Sequence, residues 1–255
     1  MSTTSSRVLM GLTLIAVVMT GALGRGQEAL AAGATMVPSI GCKTFLGFSD
    51  RWSKETFQRE AVHVARTLAA RLSHYVSRGG NAAFAPRNWT CRSWAGVGSV
   101  MIVVPRGTHV PNEDEHHMTP GPAVETESAS GETSGRDMVA KYASWYFPRM
   151  AKNYIDGIVK FDRDMPYPLQ VGLNPYPLDE VTHLTPMLVR VVTPPNRHGF
   201  GTEGMLAVGD DEIVSFVKLV LKPEPGMVII RIRLPRSMHS LERVLANMNS
   251  ESLRH

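Results

Sequence analysis

Met227-Val-Ile-Ile-Arg-Ile-Arg-Leu234 ends in a strict alternation of aliphatic and cationic side chains. A period of two is that of a β-strand, so Val228, Ile230, Ile232 and Leu234 share one face while Arg231 and Arg233 fall on the other. One face is therefore buried, and the other is wet or paired. Lys222-Pro-Glu-Pro-Gly226 supplies the turn that leads into this strand. Upstream, Met187 to Val192 is strand-like, and Gly204 to Val208 and Glu212 to Leu221 flank Gly209-Asp210-Asp211, a hairpin turn signal. Downstream, Ser237 to Met248 carries Met238, Leu241, Val244, Leu245 and Met248 at helical spacing. The C-terminal third thus reads as an antiparallel meander capped by a helix, and the chain as an α+β protein with amphipathic helices packed on a mainly antiparallel sheet.

Working back toward the N-terminus, Phe57, Ala61, Val62, Ala65, Leu68, Ala69, Leu72, Tyr75 and Val76 recur at three- and four-residue steps. This spacing predicts a helix from Ser53 to Arg78, capped by Ser53 and stopped at Gly79-Gly80. Gly98 to Val104 predicts a short buried strand. A second helix is expected from a Ser134 cap through Met138, Val139, Tyr142, Trp145 and Tyr146 to Pro148, with Arg149 to Val159 as a further helical piece. Asp164 to Asp179 holds four prolines and reads as an irregular connector. Residues 107–135 are rich in Pro, Gly, Ser and Thr and carry only acidic charge, so a flexible, disordered acidic insert is expected there.

The chain has 255 residues, a formal net charge of +4 and 43% hydrophobic residues, enough for a substantial core and too apolar for a disordered chain. The small net charge conceals opposed segments. Arg51 to Arg106 holds nine basic residues against two acidic ones, whereas Thr108 to Gly135 holds six acidic residues and no Lys or Arg. The basic block suits an anionic envelope polymer or a protein partner, or is balanced by the acidic segment. No motif for specific nucleic-acid binding is present.

Arg7 precedes an apolar run from Val8 to Leu23, followed by Ala29-Leu30-Ala31, which has small residues at both specificity positions of a signal-peptidase site. Residues 1–31 are therefore expected to be a cleaved signal peptide and 32–255 one exported domain, periplasmic or secreted, touching the membrane only transiently. As a permanent span the run is short, because crossing ~30 Å of hydrocarbon takes about 20 apolar residues. Ser39-Ile40-Gly41-Cys42 offers a lipoprotein alternative, although Ser39 stands where a lipobox has leucine. In an oxidising compartment the only two cysteines, Cys42 and Cys91, are expected to form a disulfide, the rival role being a Cys91 nucleophile served by a distant histidine.

Several residue groups invite a chemical reading. His109, His116 and His117 with Glu113, Asp114 and Glu115 have the composition of metal ligands but no ligand spacing on a rigid element, so neither a metal nor a cofactor is expected. Gly96-Val97-Gly98-Ser99 and Gly199-Phe200-Gly201-Thr202 lack the Lys and helix of a phosphate loop. Asp162 and Asp164 form a conceivable carboxylate pair, or a solvated turn. Arg87, Trp89, Arg92 and Trp94 surround Cys91. Exposed, they would stack on and clamp an anionic ligand; buried, the indoles would pack over the disulfide.

Phe84-Ala-Pro-Arg-Asn-Trp-Thr-Cys91, Gly98-Ser99, Val104-Pro105, Thr193-Pro-Pro-Asn196, Gly199-Phe-Gly-Thr202 and Arg233-Leu-Pro235 resemble islands in a set of uncharacterised exported bacterial proteins. Those proteins bear an A-P-R-G-W-x-C segment and later G-x-G-T and R-L-P, from which this chain departs at Asn88 and Thr90. The resemblance implies export and one continuous architecture, without a reaction. The expectation is an exported, non-enzymatic envelope or binding protein using Arg87, Trp89, Arg92 and Trp94. The alternative is a secreted hydrolase with His198 as base near Thr202.

Overall fold

A computed structural model describes residues 34–37, 39–46, 51–52, 62–78, 80–95, 98–109, 118–132, 135–161 and 171–252. Residues 1–31, expected to be a signal peptide, Glu113 to His117, and Asp162 with Asp164 lie outside them. The strands are β1 Ala34–Val37, β2 Ser39–Gly41, β3 Lys43–Leu46, β4 Arg51–Trp52, β5 Val62–Ala65, β6 Leu72–Val76, β7 Ala82–Pro86, β8 Thr90–Ala95, β9 Gly98–Val104, β10 Ala123–Ser130, β11 Glu180–Thr185, β12 Leu188–Thr193, β13 Ile213–Val220 and β14 Gly226–Arg233. The helices are α1 Arg66–Ala69, α2 Arg136–Tyr146, α3 Lys152–Phe161 and α4 His239–Ser252.

The main sheet has nine strands in the order β11-β12-β13-β14-β10-β9-β8-β3-β4, antiparallel except for the β3–β8 pair. A three-stranded sheet, β2-β6-β7, and a β1–β5 ribbon complete it. The fold is α+β and dominated by sheet. The meander expected around Met227 to Leu234 is present as β12, β13 and β14, and helices α2, α3 and α4 fall close to their expected positions.

Both faces of the main sheet are covered, which is why β13 and β14 are apolar almost throughout. On one face Val192, Val214, Phe216, Ile230 and Ile232 meet Leu241 and Leu245 of α4, Leu72 and Tyr75 of β6, and the cysteines. On the other, Val191, Val217, Leu219 and Ile229 meet Val139, Tyr142, Ala143 and Tyr146 of α2. Asn249 ties α4 to the small sheet: its amide accepts from Phe84 N at 2.9 Å and donates to Phe84 O at 3.1 Å.

Three expectations are corrected. In the described part of Ser53 to Arg78 the chain forms β5, a single helical turn α1, and β6 instead of a long helix. Leu72, Tyr75 and Val76 fit a helical stripe in a local window, but β6 pairs with both β2 and β7, and the Tyr75 hydroxyl donates to Pro86 O and Trp89 O. Long-range pairing decides the conformation there. Gly204 to Val208 is not a strand but an extended stretch with one parallel bridge, Leu206 to Thr119. Its backbone groups go to buried charges: Met205 N donates to Glu125, and Ala207 O accepts from Arg233.

The largest correction concerns residues 107–135. Ala123–Ser130 is the central strand β10, flanked by β9 and β14. Its acidic side chains are tolerated inside because Glu125 stands directly opposite Arg231 in the ladder. Arg231 Nη1 donates to Glu125 Oε1 at 2.7 Å and to Glu127 Oε2 at 2.8 Å, and its guanidinium lies 5.1 Å from the centre of the Phe200 ring. Arg231 and Glu125 are fully buried, and burial pushes the Glu125 carboxyl up against the pull of Arg231. Arg233 is held by three carbonyls, Gly121 at 3.0 Å, Ala207 at 2.6 Å and Thr119 at 2.7 Å. The arginine face is thus paired, not wet.

Cys42 and Cys91 form the expected disulfide. It sits one position before the β3–β8 ladder, whose first pair is Lys43 and Arg92, where the chain leaves β2 of the small sheet for β3 of the large one. Cys42 is therefore a cross-link and not a lipid attachment point. Among the described residues no helix is long and apolar enough to cross a membrane.

Two measurements probe this architecture. Arg231→Met should lower urea-unfolding stability by roughly 3–5 kcal/mol, because it strands a buried carboxylate, and adding Glu125→Leu should recover most of that loss. With the cysteines 49 positions apart, Cys42→Ser paired with Cys91→Ser should cost about 4 kcal/mol in the chain-entropy account. The unaltered protein should titrate no free thiol after denaturation.

Candidate functional site

The expected contact set does not form a surface. Trp89 is 9% exposed and packs with the cysteines, whereas Trp94 is 5% exposed and belongs to a separate cluster with Ile102, Val104 and Leu206. Arg87 remains exposed, with Nη1 donating to Ala69 O at 3.4 Å, and Arg92 is half-buried on β8. Both indoles are core: Trp89 packs beneath the small sheet with Leu72, Tyr75 and the cysteines, whereas Trp94, three positions beyond Cys91, falls on the opposite face of β8 with Ile102 and Leu206. Asn88 has φ of 66°, a left-handed turn that asparagine tolerates.

The Gly199 to Thr202 turn also has a structural explanation. Thr202 Oγ1 donates to Gly199 O at 2.9 Å and accepts from Gly199 N at 3.2 Å, so the hydroxyl caps its own turn. Phe200 N donates to Asp179 Oδ2 at 2.8 Å and Gly201 N to Thr193 Oγ1 at 2.9 Å. A Cβ at Gly199 would strike Asp179 and Thr193, and one at Gly201 would lie 2.7 Å from Ile213 Cβ, so glycine is a packing requirement at both. His198 is exposed on the turn preceding this motif, and His109 is exposed beyond β9. Among the described residues no group of three or more His, Cys, Asp or Glu could hold a metal ion.

The structure instead gathers chargeable groups between α4 and the main sheet. On α4, His239, Glu242, Arg243, Ala246, Asn247 and Ser250 follow three- and four-residue steps and so form one stripe beside the Leu241, Val244, Leu245 core stripe. Facing them, Leu184 of β11 and Val214 and Phe216 of β13 make the floor, with Arg190 of β12 beside it, directly opposite Phe216 in the ladder. The space between is a cleft of about 480 Å³. Leu184, Val214, Phe216 and Ala246 make it apolar at depth, whereas Arg190, His239, Glu242, Arg243 and Asn247 make its rim polar.

At this rim Glu242 has as its acidic neighbour Glu212, which precedes β13. Burial first, then Glu212, push the Glu242 carboxyl up to about 7, against the pull of His239 and Arg190. His239 Nε2 lies 3.6 Å from Asp211 Oδ1 and Arg236 Nε 3.7 Å from the same oxygen.

No protein-family model, curated protein or solved structure matches the chain.

Local geometry therefore carries the choice of site. A second groove of about 510 Å³, between α2, α3 and Val171 to Leu173, has its Lys152 and Asp156 paired with each other at 2.6 Å. Glu203 is likewise committed, accepting from Lys141 Nζ at 2.8 Å, Tyr142 at 3.3 Å and Tyr176. Of the two, the α4 cleft is the one that combines apolar depth, unlike charges and a shifted carboxyl, the combination typical of ligand sites. Part of it was visible as His239, Glu242 and Arg243 on one side of the C-terminal helix, but no local pattern shows that Arg190 and Glu212 meet them.

A carboxyl held above its unfolded value favours folding below about pH 4.5, and that contribution is lost as pH rises through about 7. Glu242→Gln should therefore raise Tm at pH 8 relative to the unaltered protein and leave the difference near zero or reversed at pH 4, as read by differential scanning fluorimetry.

Proposed function

We propose that this chain is an exported binding protein whose small-molecule ligand occupies the α4 cleft. The observation that carries the proposal is the convergence of Arg190 and Arg243 over an apolar floor in a cleft of about 480 Å³, within the ~300–1,000 Å³ typical of small-molecule sites. The hydroxyl in the lining, Ser250, donates to Asn247 O at 2.9 Å. The cleft thus presents charge and apolar surface, not an activated nucleophile. That favours binding over the hydrolase alternative at His198 and Thr202. Export is supported by the Val8 to Leu23 run, by Ala29-Leu-Ala31, and by a disulfide that an oxidising compartment maintains. The cleft replaces Arg87, Trp89, Arg92 and Trp94 as the ligand-contacting set.

Anilinonaphthalene sulfonate, an apolar dye with one anionic group, should bind the folded mature protein with one-to-one stoichiometry and enhanced fluorescence. Asn247→Trp, which projects bulk into the cleft from an exposed position, and Arg190→Met should each weaken it at least tenfold. Dye binding unchanged by both substitutions would overturn the proposal.

A further inference from the structure

We propose that two copies of this chain pair edge to edge through β11, about a two-fold axis at Val181, and that each copy thereby brings its Glu180 to Arg190 at the mouth of the other's cleft. The pairing does not rest on the cleft holding a ligand; it goes beyond that reading by giving the cleft rim a residue from a second copy.

β11 is the outer strand of the main sheet and pairs with β12 alone. Among the described residues no backbone group outside the β12 ladder bonds to the main chain of Glu180 to His183. Such an edge is a template for another strand, and natural sheets guard it with lysine, proline, a bulge or a covering segment. Glu180-Val-Thr-His183 holds no lysine or proline, all four residues are exposed, and the bulge comes only after them, between His183 and Thr185. The opposite edge, β4, has two residues. The match for β11 is therefore a second β11, a contact between identical surfaces that closes at two copies.

The bulge and the alternation of side chains set the register. A straight partner strand has only Glu180 to His183 to pair with, because the ladder shifts beyond them. An antiparallel pairing centred on Val181 uses this stretch: Val181 stands opposite Val181 of the second copy, and Glu180 opposite its Thr182. Side chains opposite one another share a face. The valines, each 39% exposed, thus meet on the face that α2 covers, where Val181 continues the row of Val191.

On the α4 face Thr182 stands opposite Arg190, and Arg190 opposite Phe216. Glu180 of the second copy extends this row, its backbone two strand spacings, about 10 Å, from that of Arg190, a gap that two long side chains bridge. Neither Glu180 nor Arg190 makes a salt bridge among the described residues. Arg190 and Arg243 also outnumber Glu242 in the cleft lining, so an added carboxylate there is matched by charge.

Sedimentation equilibrium of the oxidised mature protein, from about 1 to 300 μM, tests the pairing. The average mass should rise reversibly toward two chains, with Kd on the order of 10–100 μM, as suits a small, transient interface. Val181→Lys, which sets like charges face to face at the axis, should weaken association at least tenfold and leave the Tm of the dilute protein unchanged. Glu180→Arg and Arg190→Glu should each weaken it at least fivefold, and their equimolar mixture should recover it, since every arginine then faces a glutamate. Val181→Cys should cross-link into a covalent dimer in glutathione buffer at least tenfold faster than Leu173→Cys, a position 95% exposed but off the axis.

A single chain across the concentration range, association unmoved by Val181→Lys, no recovery in the charge-swapped mixture of folded variants, or equal cross-linking of the two cysteine variants would each overturn the inference. A monomer that binds the dye one-to-one removes the pairing and leaves the cleft. A dimer with these properties that binds no dye leaves the pairing and removes the ligand.

Discussion

The guanidinium of Arg231, fully buried between two carboxylates, is the constraint around which the rest of the structure is arranged. Such a cation is expensive to remove from water and is held only where its partners are correctly placed. Glu125 comes from the neighbouring strand, directly across the ladder, which fixes β10 beside β14 in one register. The second oxygen of Glu125 takes the Met205 amide, and Phe200 O accepts from Arg231 Nε at 3.4 Å. The loop from Gly199 to Met205 is thereby fastened over the pair, and Gly204 has no room for a Cβ because Glu125 and Arg231 fill that space. Phe200 in turn meets Tyr142 and Tyr146 edge-on at 5.1 and 5.2 Å, so α2 docks on the ring beneath which the cation lies. Both carboxylates bond to Nη1 and the buried Nη2 has no partner among the described residues, so the pair fixes the arrangement more than it stabilises it.

How far this was legible differs with the kind of signal. Strand β14 could be read because alternation is local and its two arginines announce a second face. Helices α2 and α4 could be read because their apolar stripes and flanking prolines lie within one window. The cysteine pairing followed from there being only two. Strand β10 was not legible, since Glu125 and Glu127 look like solvated charges unless Arg231, more than a hundred residues away, is known to face them. The stretch containing β5, α1 and β6 misled for the opposite reason: its spacing satisfies a helix, and its sheet partners are remote.

The candidate site shows the same division. Residues 87 to 94 concentrate cations and indoles within a few positions, yet the packing of β8 sends Trp89 and Trp94 into separate parts of the core. The α4 cleft assembles Leu184, Arg190, Phe216 and Glu242 from four separate elements, none conspicuous alone. Proximity along the chain marked the wrong place, and proximity across the sheet marked the one with chemical character.

Asn249 gives α4 a role beyond covering the sheet. By exchanging two hydrogen bonds with the backbone of Phe84, its side-chain amide behaves as a one-residue strand added to the edge of β7. The helix that forms one wall of the cleft is thus also the stitch closing the small sheet, and it follows every described strand in chain order. During synthesis the sheet can assemble with Val214 and Phe216 still bare, and no cleft exists until residues 239–252 have arrived and docked. The α4 wall of the cleft is in that sense set by the order in which the segments of the fold become available.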